Sequence, residues 1–395
     1  MSEKKMIPLG EALEIAGRYR VQSGREKIAF TDSPGRVLAE DIFSDMDMPP
    51  FNRSAVDGFA CRRADLPGPL TIIETIPAGT YPQKHVSEGE CSRIMTGAAV
   101  PDGADTVFMV EESREEKGSV TFTGSQTKDN IALRGEDIGS GDRVLTGGRV
   151  IRPQDIAVMA TVGATEVEVV KKLDIAVIST GDELVEPHKK PGKGEIRNSN
   201  AYQLIAQVMR AGANAVYYGI AGDSEEQTAQ IVDRAIAECD IVLLTGGVSM
   251  GDYDFVPVVL EKAGVEILFD KVAVQPGKPT TLGIHKDAVV FGLPGNPVSA
   301  FIQFEIFVRP MIHRSMDSDW KPEIVRMILS DGYSRKRAGR FAWVPVIRNS
   351  DGGVIAAEYH GSAHINALPG AYGITGVPVG VHEIKAGEEV DVRFI

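Results

Sequence analysis

Three short apolar segments of this chain each end in a turn made of glycine, proline and small polar residues. The junctions are residues 175–179 followed by TGDE, residues 241–244 followed by TGGVS, and residues 289–292 followed by LPGNP. In an open α/β sheet, ligands bind at the carboxyl ends of such strands. Three such loops at one edge predict a single polar site, and their chemistry favours a phosphate-bearing ligand beside a metal ion.

The second junction has the strongest anion-binding character. Gly246 and Gly247 let backbone N–H groups face a phosphate, and a following helix N-terminus would add partial positive charge. Asp252 and Asp254 follow closely, and Mg²⁺ usually binds through one or two carboxylates plus phosphate oxygens. The alternatives are a tight strand-to-helix turn for the glycines and helix capping for the aspartates.

Other candidate residues have equally ordinary alternative roles. Glu183 and Asp223 follow neighbouring predicted strands, where a carboxylate can serve as a pocket wall or as a cap. Lys278 lies between two prolines, which suits either a positioned anion contact or a solvated lysine. The segment lacks the Walker A pattern, and no G-x-G-x-x-G follows a strand, so a dinucleotide-dependent redox enzyme is not expected.

Three further motifs precede the predicted parallel sheet. Asp57 lies in NRSAVDGFA, and RIMTGA and RGEDI follow at residues 93–98 and 134–138. From composition alone each of them is typical of a turn. His360 and His364 are four residues apart, but no Glu or Cys completes a zinc site, so we expect no metal there.

The bulk composition narrows the class of protein. The chain has 395 residues and a formal net charge of -13, which predicts several domains and argues against general nucleic-acid binding. Its three cysteines form no C-x-x-C pair, which is typical of reduced thiols in the cytoplasm. No apolar run has the length of a membrane span, and no signal-peptide core is present, so we expect a cytoplasmic protein without membrane contact.

The order of predicted elements indicates the architecture. Apolar spacing at Leu9, Leu13 and Ala16 predicts a helix over residues 7–24. Short alternating segments up to about residue 143 predict a β-rich insertion, and residues 173–314 alternate strands with helices, which predicts a parallel sheet covered on both faces. Strand-like segments after Trp320 predict a separate β domain.

Taken together, seven ordered motifs closely resemble the molybdopterin molybdenumtransferase family, which includes MoeA and the gephyrin E-domain. The motifs are NRSAVDGFA, RIMTGA, RGEDI, STGDEL, GGVSMGDYD, PGKPT and LPGNPVSA. The resemblance covers essentially the whole chain and is weakest over the last 75 residues.

This resemblance implies a multidomain α/β and β fold. Its parts are an extended linker-like dimerisation domain, a β-rich insertion domain, a three-layer α/β domain with a mostly parallel sheet that binds molybdopterin, and a C-terminal β-barrel-like domain. The implied ranges, in that order, are 1–48 with 142–172, 49–141, 173–318 and 319–395. The family implies a homodimer whose active cleft lies between the α/β domain of one subunit and the insertion of the other. The implied reaction uses adenylylated molybdopterin, molybdate and Mg²⁺, and releases AMP.

The resemblance also assigns roles to residues. It implies that Asp57, Thr96 and Asp137 are catalytic and that Asp57 and Asp254 bind the metal. The implied molybdate contacts are Gln275, Lys278, Arg340 and Ser362. The implied contacts to the pterin and nucleotide phosphates are Gly181, Glu183, Asp223, Gly246, Gly247, Ser249, Asp254, Pro294, Gly295 and Pro297. Many relatives have lysine where this chain has Gln275, so one cationic oxyanion contact is missing.

Two other functions are compatible with parts of the sequence. The molybdopterin adenylyltransferase resembles residues 173–314 alone, uses ATP and has neither the insertion nor the C-terminal domain; it is also an expected transient partner. A scaffold protein is the second alternative, because gephyrin also clusters receptors, but no added interaction domain is recognisable here. Molybdate and tungstate are both consistent with these residues.

Overall fold

The computed structural model describes residues 5–222, 224–247, 256–358 and 363–395. Near the N-terminus, helix α1 (Leu9–Gly17) is followed by strands β1 (Arg25–Ala29) and β2 (Ile42–Phe43). Helix α1 is shorter than the predicted 7–24, and Leu13 is exposed, because the buried face is formed by Leu9, Ala12 and Ala16 instead. These three side chains join the core of the α/β segment.

The insertion is a six-stranded mixed sheet with the order β7-β4-β6-β5-β9-β8, plus a small β3-β10 pair. Its strands are β3 (Arg53–Ser54), β4 (Gly58–Cys61), β5 (Leu70–Ile76), β6 (Glu90–Ile94), β7 (Thr106–Met109), β8 (Ser113–Glu116), β9 (Ser119–Phe122) and β10 (Ile131–Ala132). Strand β4 begins directly after Asp57, so the Asp-Gly pair starts a buried strand rather than closing an isolated turn.

The next segment returns to the N-terminal strands. It contains β11 (Arg143–Leu145), α2 (Pro153–Thr161) and β12 (Glu166–Val170). Strand β11 pairs with β2, and β12 pairs with β1, both antiparallel. Proline at the first turn suits helix α2 because the missing N–H has no helical partner there, and Asp155 caps the helix by accepting from the Arg152 N–H at 2.9 Å.

The α/β segment contains a six-stranded sheet with the order β16-β13-β17-β21-β20-β18. Its elements are β13 (Asp174–Thr180), β14 (Leu184–Val185), β15 (Ile196–Arg197), α3 (Ser199–Arg210), β16 (Asn214–Ala221), α4 (Glu225–Glu238), β17 (Ile241–Thr245), α5 (Val256–Lys262), β18 (Glu266–Phe269), β19 (Val274–Gln275), β20 (Thr281–Ile284), β21 (Val289–Leu293), α6 (Pro297–Gln303) and α7 (Arg309–Ser315). Residues 304–308 form a π-helical turn between α6 and α7.

The central strands β13, β17 and β21 of this sheet are buried on both faces. Along β13, Ile175 and Val177 belong to one core cluster, whereas Ala176 and Ile178 belong to the other, as the period-two geometry of a strand requires. Strands β16, β13, β17 and β21 are parallel, but β20 and β18 are antiparallel to their neighbours. The mostly parallel sheet is therefore confirmed, with an antiparallel edge where no helix separates β20 from β21.

The C-terminal segment closes into a five-stranded barrel through the cyclic pairing β24-β25-β22-β28-β26-β24. Its strands are β22 (Ile324–Leu329), β23 (Tyr333–Ser334), β24 (Phe341–Arg348), β25 (Val354–Ala356), β26 (Gly373–Val377), β27 (Glu383–Ile384) and β28 (Glu388–Phe394). Strand β19 of the α/β segment pairs in parallel with β24 and so ties the barrel to the sheet. The predicted fold class is confirmed; the domain boundaries stay a prediction.

Candidate functional site

The three strand-then-glycine junctions converge as the sequence predicted. Strands β13, β17 and β21 are adjacent and parallel, so their carboxyl ends meet at one edge of the sheet. A cavity of about 290 Å³ opens there, which we call the strand-end pocket. Its lining includes Thr180, Glu183, Thr245, Gly246, Gly295 and Pro297. All three turns of the predicted phosphate site therefore line the same pocket.

Gly246 is required where two of these turns touch. Its φ is +94°, and a Cβ there would overlap the backbone carbonyl of Thr180. A Cβ on Gly295, by contrast, would lie 3.5 Å from the Gly246 Cα, which is an ordinary van der Waals contact. The close approach of the backbones leaves the pocket floor lined by main chain, as a phosphate cradle needs.

Asn200 joins two of the three loops, although its sequence context gives no sign of this role. Its Nδ2 donates to Thr245 Oγ1 at 2.9 Å and to the Gly295 carbonyl at 2.8 Å. Thr245 Oγ1 in turn donates to the Pro294 carbonyl at 3.3 Å. Because Asn200 and Thr245 are buried, these bonds fix the pocket wall with little competition from water.

Thr180 contributes a buried hydroxyl that has no hydrogen-bond partner among the described residues. The residue is 6% exposed and lines the pocket. A buried hydroxyl without a partner is costly, and such a group in a native site commonly bonds to a ligand or to water. Thr180 is therefore a candidate contact that the sequence does not predict, since the motif indicates only the following Gly181 and Glu183 as phosphate contacts.

Asp57 lies on the insertion, at the start of β4. Its Oδ1 accepts hydrogen bonds from the Thr96 backbone N–H at 2.6 Å and from Thr96 Oγ1 at 2.7 Å. These two bonds lower the pKa of the Asp57 carboxyl below its usual range, so the group stays ionised. Both residues are exposed, and they form a compact pair that faces outward.

Asp137 is also exposed, and its backbone N–H donates to the Met48 carbonyl at 3.1 Å. Within the described ranges, its carboxylate has no contact with Asp57 or Thr96. The structure therefore brings Asp57 and Thr96 together but does not join Asp137 to them.

Three of the predicted oxyanion contacts lie around the β19–β24 pairing, and we call Gln275, Lys278 and Arg340 the oxyanion group. Val274 pairs with Phe341, and Arg340 Nη1 donates to the Val274 carbonyl at 3.3 Å. The turn carrying Lys278 is fixed by Gln303, whose Nε2 donates to the Pro276 carbonyl at 2.9 Å. Gln275 and Lys278 are exposed and Arg340 is half-buried, so the group can meet an anion from solvent.

Comparison with known proteins identifies families and relatives that this chain resembles. Residues 7–163 match the family model described as MoeA N-terminal region (domain I and II), and residues 176–314 match that of a probable molybdopterin binding domain. The chain is 35% identical to the molybdopterin molybdenumtransferase of Staphylococcus epidermidis, over 99% of this chain and 97% of the relative. The Bacillus subtilis enzyme of the same name is also 35% identical, over 100% and 96%.

The chain belongs to the molybdopterin molybdenumtransferase family. The fold agrees, since a crystal structure of the molybdopterin biosynthesis moeA protein from Pyrococcus horikoshii matches with a TM-score of 0.86 at 30% identity, covering 99% of this chain and 100% of that one. The likeness extends over the insertion and the barrel as well as the sheet. The predicted family and transferase class are therefore confirmed.

Some predicted site residues of this molybdenumtransferase family member fall outside the described ranges. They are Asp223, Ser249, Asp254 and Ser362. The described residues 5–222, 224–247, 256–358 and 363–395 contain no cluster of three or more carboxylate, histidine or cysteine side chains that could hold a metal ion. Over the same ranges, no helix is long and apolar enough to cross a membrane.

Proposed function

We propose that this chain inserts molybdenum into adenylylated molybdopterin, with molybdate as the metal donor and AMP as the released product. The observation that carries the proposal is the strand-end pocket, whose main-chain floor and buried hydroxyl suit a phosphate, in a chain that matches molybdenumtransferases over its full length. The reaction separates the two phosphates of the pyrophosphate and leaves molybdenum on the dithiolene sulfurs.

The residues of the strand-end pocket would bind and orient the pyrophosphate. The pocket provides neutral donors and main-chain groups from the Thr180, Gly246 and Gly295 turns, and Asn200 holds the last two of these turns together. Positioning and charge neutralisation are the main requirements for cleaving a phosphoanhydride. A rigid wall of this kind would hold the scissile bond at a fixed distance from the catalytic groups.

We propose Mg²⁺ as the metal ion, bound by Asp57 and substrate phosphate oxygens, with Asp254 as a second ligand. The carboxylate of Asp57 suits the ion because it stays ionised and because both hydrogen bonds from Thr96 fall on Oδ1, which leaves Oδ2 for coordination. Mg²⁺ commonly uses only one or two carboxylates besides phosphate and water, so a larger cluster is not required. When bound, the ion supplies charge neutralisation and Lewis acidity.

The oxyanion group would bind molybdate. Lys278 and Arg340 carry positive charge, and Gln275 can donate a hydrogen bond without adding charge. Arg340 is held by its bond to the Val274 carbonyl, and Lys278 lies on a turn that Gln303 fixes. The barrel and the sheet thus each contribute to one anion site, with Ser362 as a fourth proposed contact.

We further propose a homodimer in which Asp57 of one subunit faces the strand-end pocket of the other. Asp57, Thr96 and Asp137 are absent from the described lining of the pocket in their own chain. A second copy would supply the missing carboxylate, and a two-fold dimer would make two such clefts. Free buried cysteines (Cys61, Cys91 and Cys239) fit the cytoplasmic location that we propose.

The single-domain adenylyltransferase is less suited to these observations. The relatives named above are matched over 96–97% of their length, including the insertion and barrel regions. An adenylyltransferase would have no use for the oxyanion group, one of whose three residues, Arg340, directly precedes the barrel strand β24. The same argument disfavours a scaffold, and transient contact with the adenylyltransferase stays a proposal.

The test is AMP release from adenylylated molybdopterin by the purified chain, followed as molybdate concentration rises, with Mg²⁺ or with EDTA. We expect release that depends on both molybdate and Mg²⁺. AMP release that is independent of molybdate, or synthesis of adenylylated molybdopterin from ATP, would contradict the proposal. A parallel series with tungstate identifies the preferred oxyanion.

A further inference from the structure

A second cavity of about 520 Å³ adjoins the strand-end pocket, and we call it the outer cavity. It is lined by Pro187, His188, Tyr202 and the segment 197–199, which also lines the strand-end pocket. The two spaces are therefore neighbouring lobes with a common wall. A ligand with its phosphates in the first lobe would extend naturally into the second.

The ring of Tyr202 is held rigidly at the outer cavity. Its hydroxyl donates to Glu186 Oε2 at 2.8 Å, and its ring centroid lies 5.7 Å from that of Tyr217 at an angle of 50°. The hydrogen bond to Glu186 raises the pKa of Tyr202, so the phenol stays a donor. Tyr202 is nevertheless 44% exposed and lines the outer cavity, so a ligand there can reach it.

A chain of hydrogen bonds connects this ring to the strand-end pocket. Ser179 Oγ donates to Asn198 Oδ1 at 2.9 Å, and Asn198 Nδ2 donates to Tyr217 Oη at 2.9 Å. The Tyr217 hydroxyl then donates to Glu186 Oε1 at 2.7 Å, the same carboxylate that accepts from Tyr202. Because Ser179 and Asn198 are almost fully buried, the chain fixes the spacing between the two lobes.

The loop beside the outer cavity is basic in an otherwise acidic protein. Residues 186–197 contain Lys189, Lys190, Lys193 and Arg197 against two glutamates, whereas the whole chain has a formal net charge of -13. Arg197 is held by bonds from its Nε to the carbonyls of Pro187 and Lys189, at 3.0 and 3.2 Å. Local positive charge of this kind attracts an anionic ligand.

We propose that the outer cavity receives a planar heteroaromatic ring of the ligand whose phosphates occupy the strand-end pocket, and that Tyr202 stacks on that ring as a specificity-determining residue. The inference rests on the proposed function, because adenylylated molybdopterin has such a ring at each end, adenine and pterin. Stacking suits either ring, since it depends on a flat face rather than on a hydrogen-bond pattern.

The test compares Tyr202→Leu, which removes the flat ring, with Tyr202→Phe, which keeps it. Calorimetric binding to the full chain is measured with AMP, with 6-hydroxymethylpterin and with inorganic pyrophosphate, which has no ring. We expect Tyr202→Leu to weaken binding of one ring-bearing probe at least about fivefold, in line with loss of an aromatic stacking partner. Pyrophosphate binding should change less than about twofold, and Tyr202→Phe should stay within about threefold of the wild type, both well short of that stacking loss.

The pattern of losses identifies the ring and separates this inference from the proposed function. Selective loss for AMP assigns adenine to the outer cavity, and selective loss for the pterin assigns the pterin. Unchanged binding of both rings by a folded Tyr202→Leu protein, or an equal loss for pyrophosphate, would overturn the inference even if the wild type releases AMP with molybdate. A selective ring loss in a protein without molybdate-dependent AMP release would support the inference and contradict the proposed function.

Discussion

The strand-end pocket and the Asp57–Thr96 pair present their polar groups in opposite ways. In the pocket, buried residues such as Asn200 and Thr245 bond to one another and to main-chain carbonyls of the same chain, so the wall is fixed from within one chain. On the insertion, an ionised carboxylate is exposed, and the one side chain that holds it within the described ranges is Thr96. The comparison indicates that the pocket binds and orients the phosphates of the ligand. Asp57, by contrast, is placed to act on a ligand that is bound to another protein surface.

The largest expected effect comes from neutralising the exposed carboxylate. Asp57→Asn keeps the shape of the side chain but removes its charge, so turnover should fall by at least about 10²-fold, as for loss of one preorganised electrostatic group. Folding should be unchanged because Asp57 is exposed, and AMP binding measured without Mg²⁺ should be unchanged because the strand-end pocket keeps its own lining. Steady-state AMP release measures turnover, and calorimetry measures AMP binding. Near-normal turnover in a folded Asp57→Asn protein would indicate that Asp57 has only a structural role.

The pocket wall is tested by Asn200→Ala. The change leaves the Gly295 carbonyl and the Thr245 hydroxyl without their buried partner, which costs about 1–3 kcal/mol. We expect the free energy of unfolding to fall by an amount in this range and AMP to bind about tenfold more weakly. Denaturant unfolding and calorimetry measure the two effects.

Asn214→Ala is the matched control for that experiment. Asn214 Nδ2 donates to the exposed Asp174 Oδ1 at 3.0 Å, at the opposite end of strand β13. Its loss should leave AMP affinity unchanged. Equal weakening by both variants would mean that Asn200 has no special relation to the pocket.

The oxyanion group is tested by adding the missing charge. Gln275→Lys should lower the molybdate concentration for half-maximal turnover about tenfold, if the new contact contributes ~1.5 kcal/mol. Affinity for the adenylylated pterin should be nearly unchanged. Gln83→Lys, an exposed change on the insertion, controls for net charge. An unchanged or raised half-saturation value for Gln275→Lys alone would indicate that Gln275 lies outside the molybdate site.

The smallest effect concerns pH. Hydrogen bonds from Thr96 lower the pKa of Asp57, so the ionised form persists until the pH falls through this lowered value. Thr96→Val removes the side-chain donor but keeps the backbone donor, so the acidic limb of the pH–rate profile should move to higher pH, with little change near neutrality. Thr96→Ser keeps the hydroxyl and should retain the wild-type profile. Identical acidic limbs for Val and Ser would contradict the role given to this bond.

The sequence predicted the convergence of the strand-end loops because a parallel strand followed by glycine has few alternatives in an α/β sheet. It did not predict the antiparallel edge formed by β18 and β20, since a short apolar strand has the same pattern in either direction. Strand β4 was also missed, because Asp57-Gly58 at its start is more often a turn.

Side-chain networks were the least predictable part of the site. Asn198 and Asn200 lie at the start of helix α3, where asparagine is ordinarily a cap, and Asn198 does cap that helix. Their bonds to Ser179, Tyr217, Thr245 and Gly295 span large sequence separations. Such contacts follow from tertiary packing and have no local signature. Only the family motifs predict a catalytic role for Asp57 and Thr96, since composition alone predicts ordinary turn residues at both positions.

The central claim is that the strand-end pocket binds the substrate and that Asp57 of the other subunit acts on it. Mixing two inactive variants of the subunit tests this claim most directly. One carries Asp57→Asn; the other carries Gly295→Phe, which fills the pocket at a position whose backbone tolerates a side chain. If each cleft combines Asp57 of one subunit with the pocket of its partner, purified heterodimers contain one intact cleft and should recover about half of the wild-type rate of AMP release, because a two-fold dimer has two clefts. Heterodimers as inactive as both parents would contradict the account, since they would indicate that each cleft is built within a single chain.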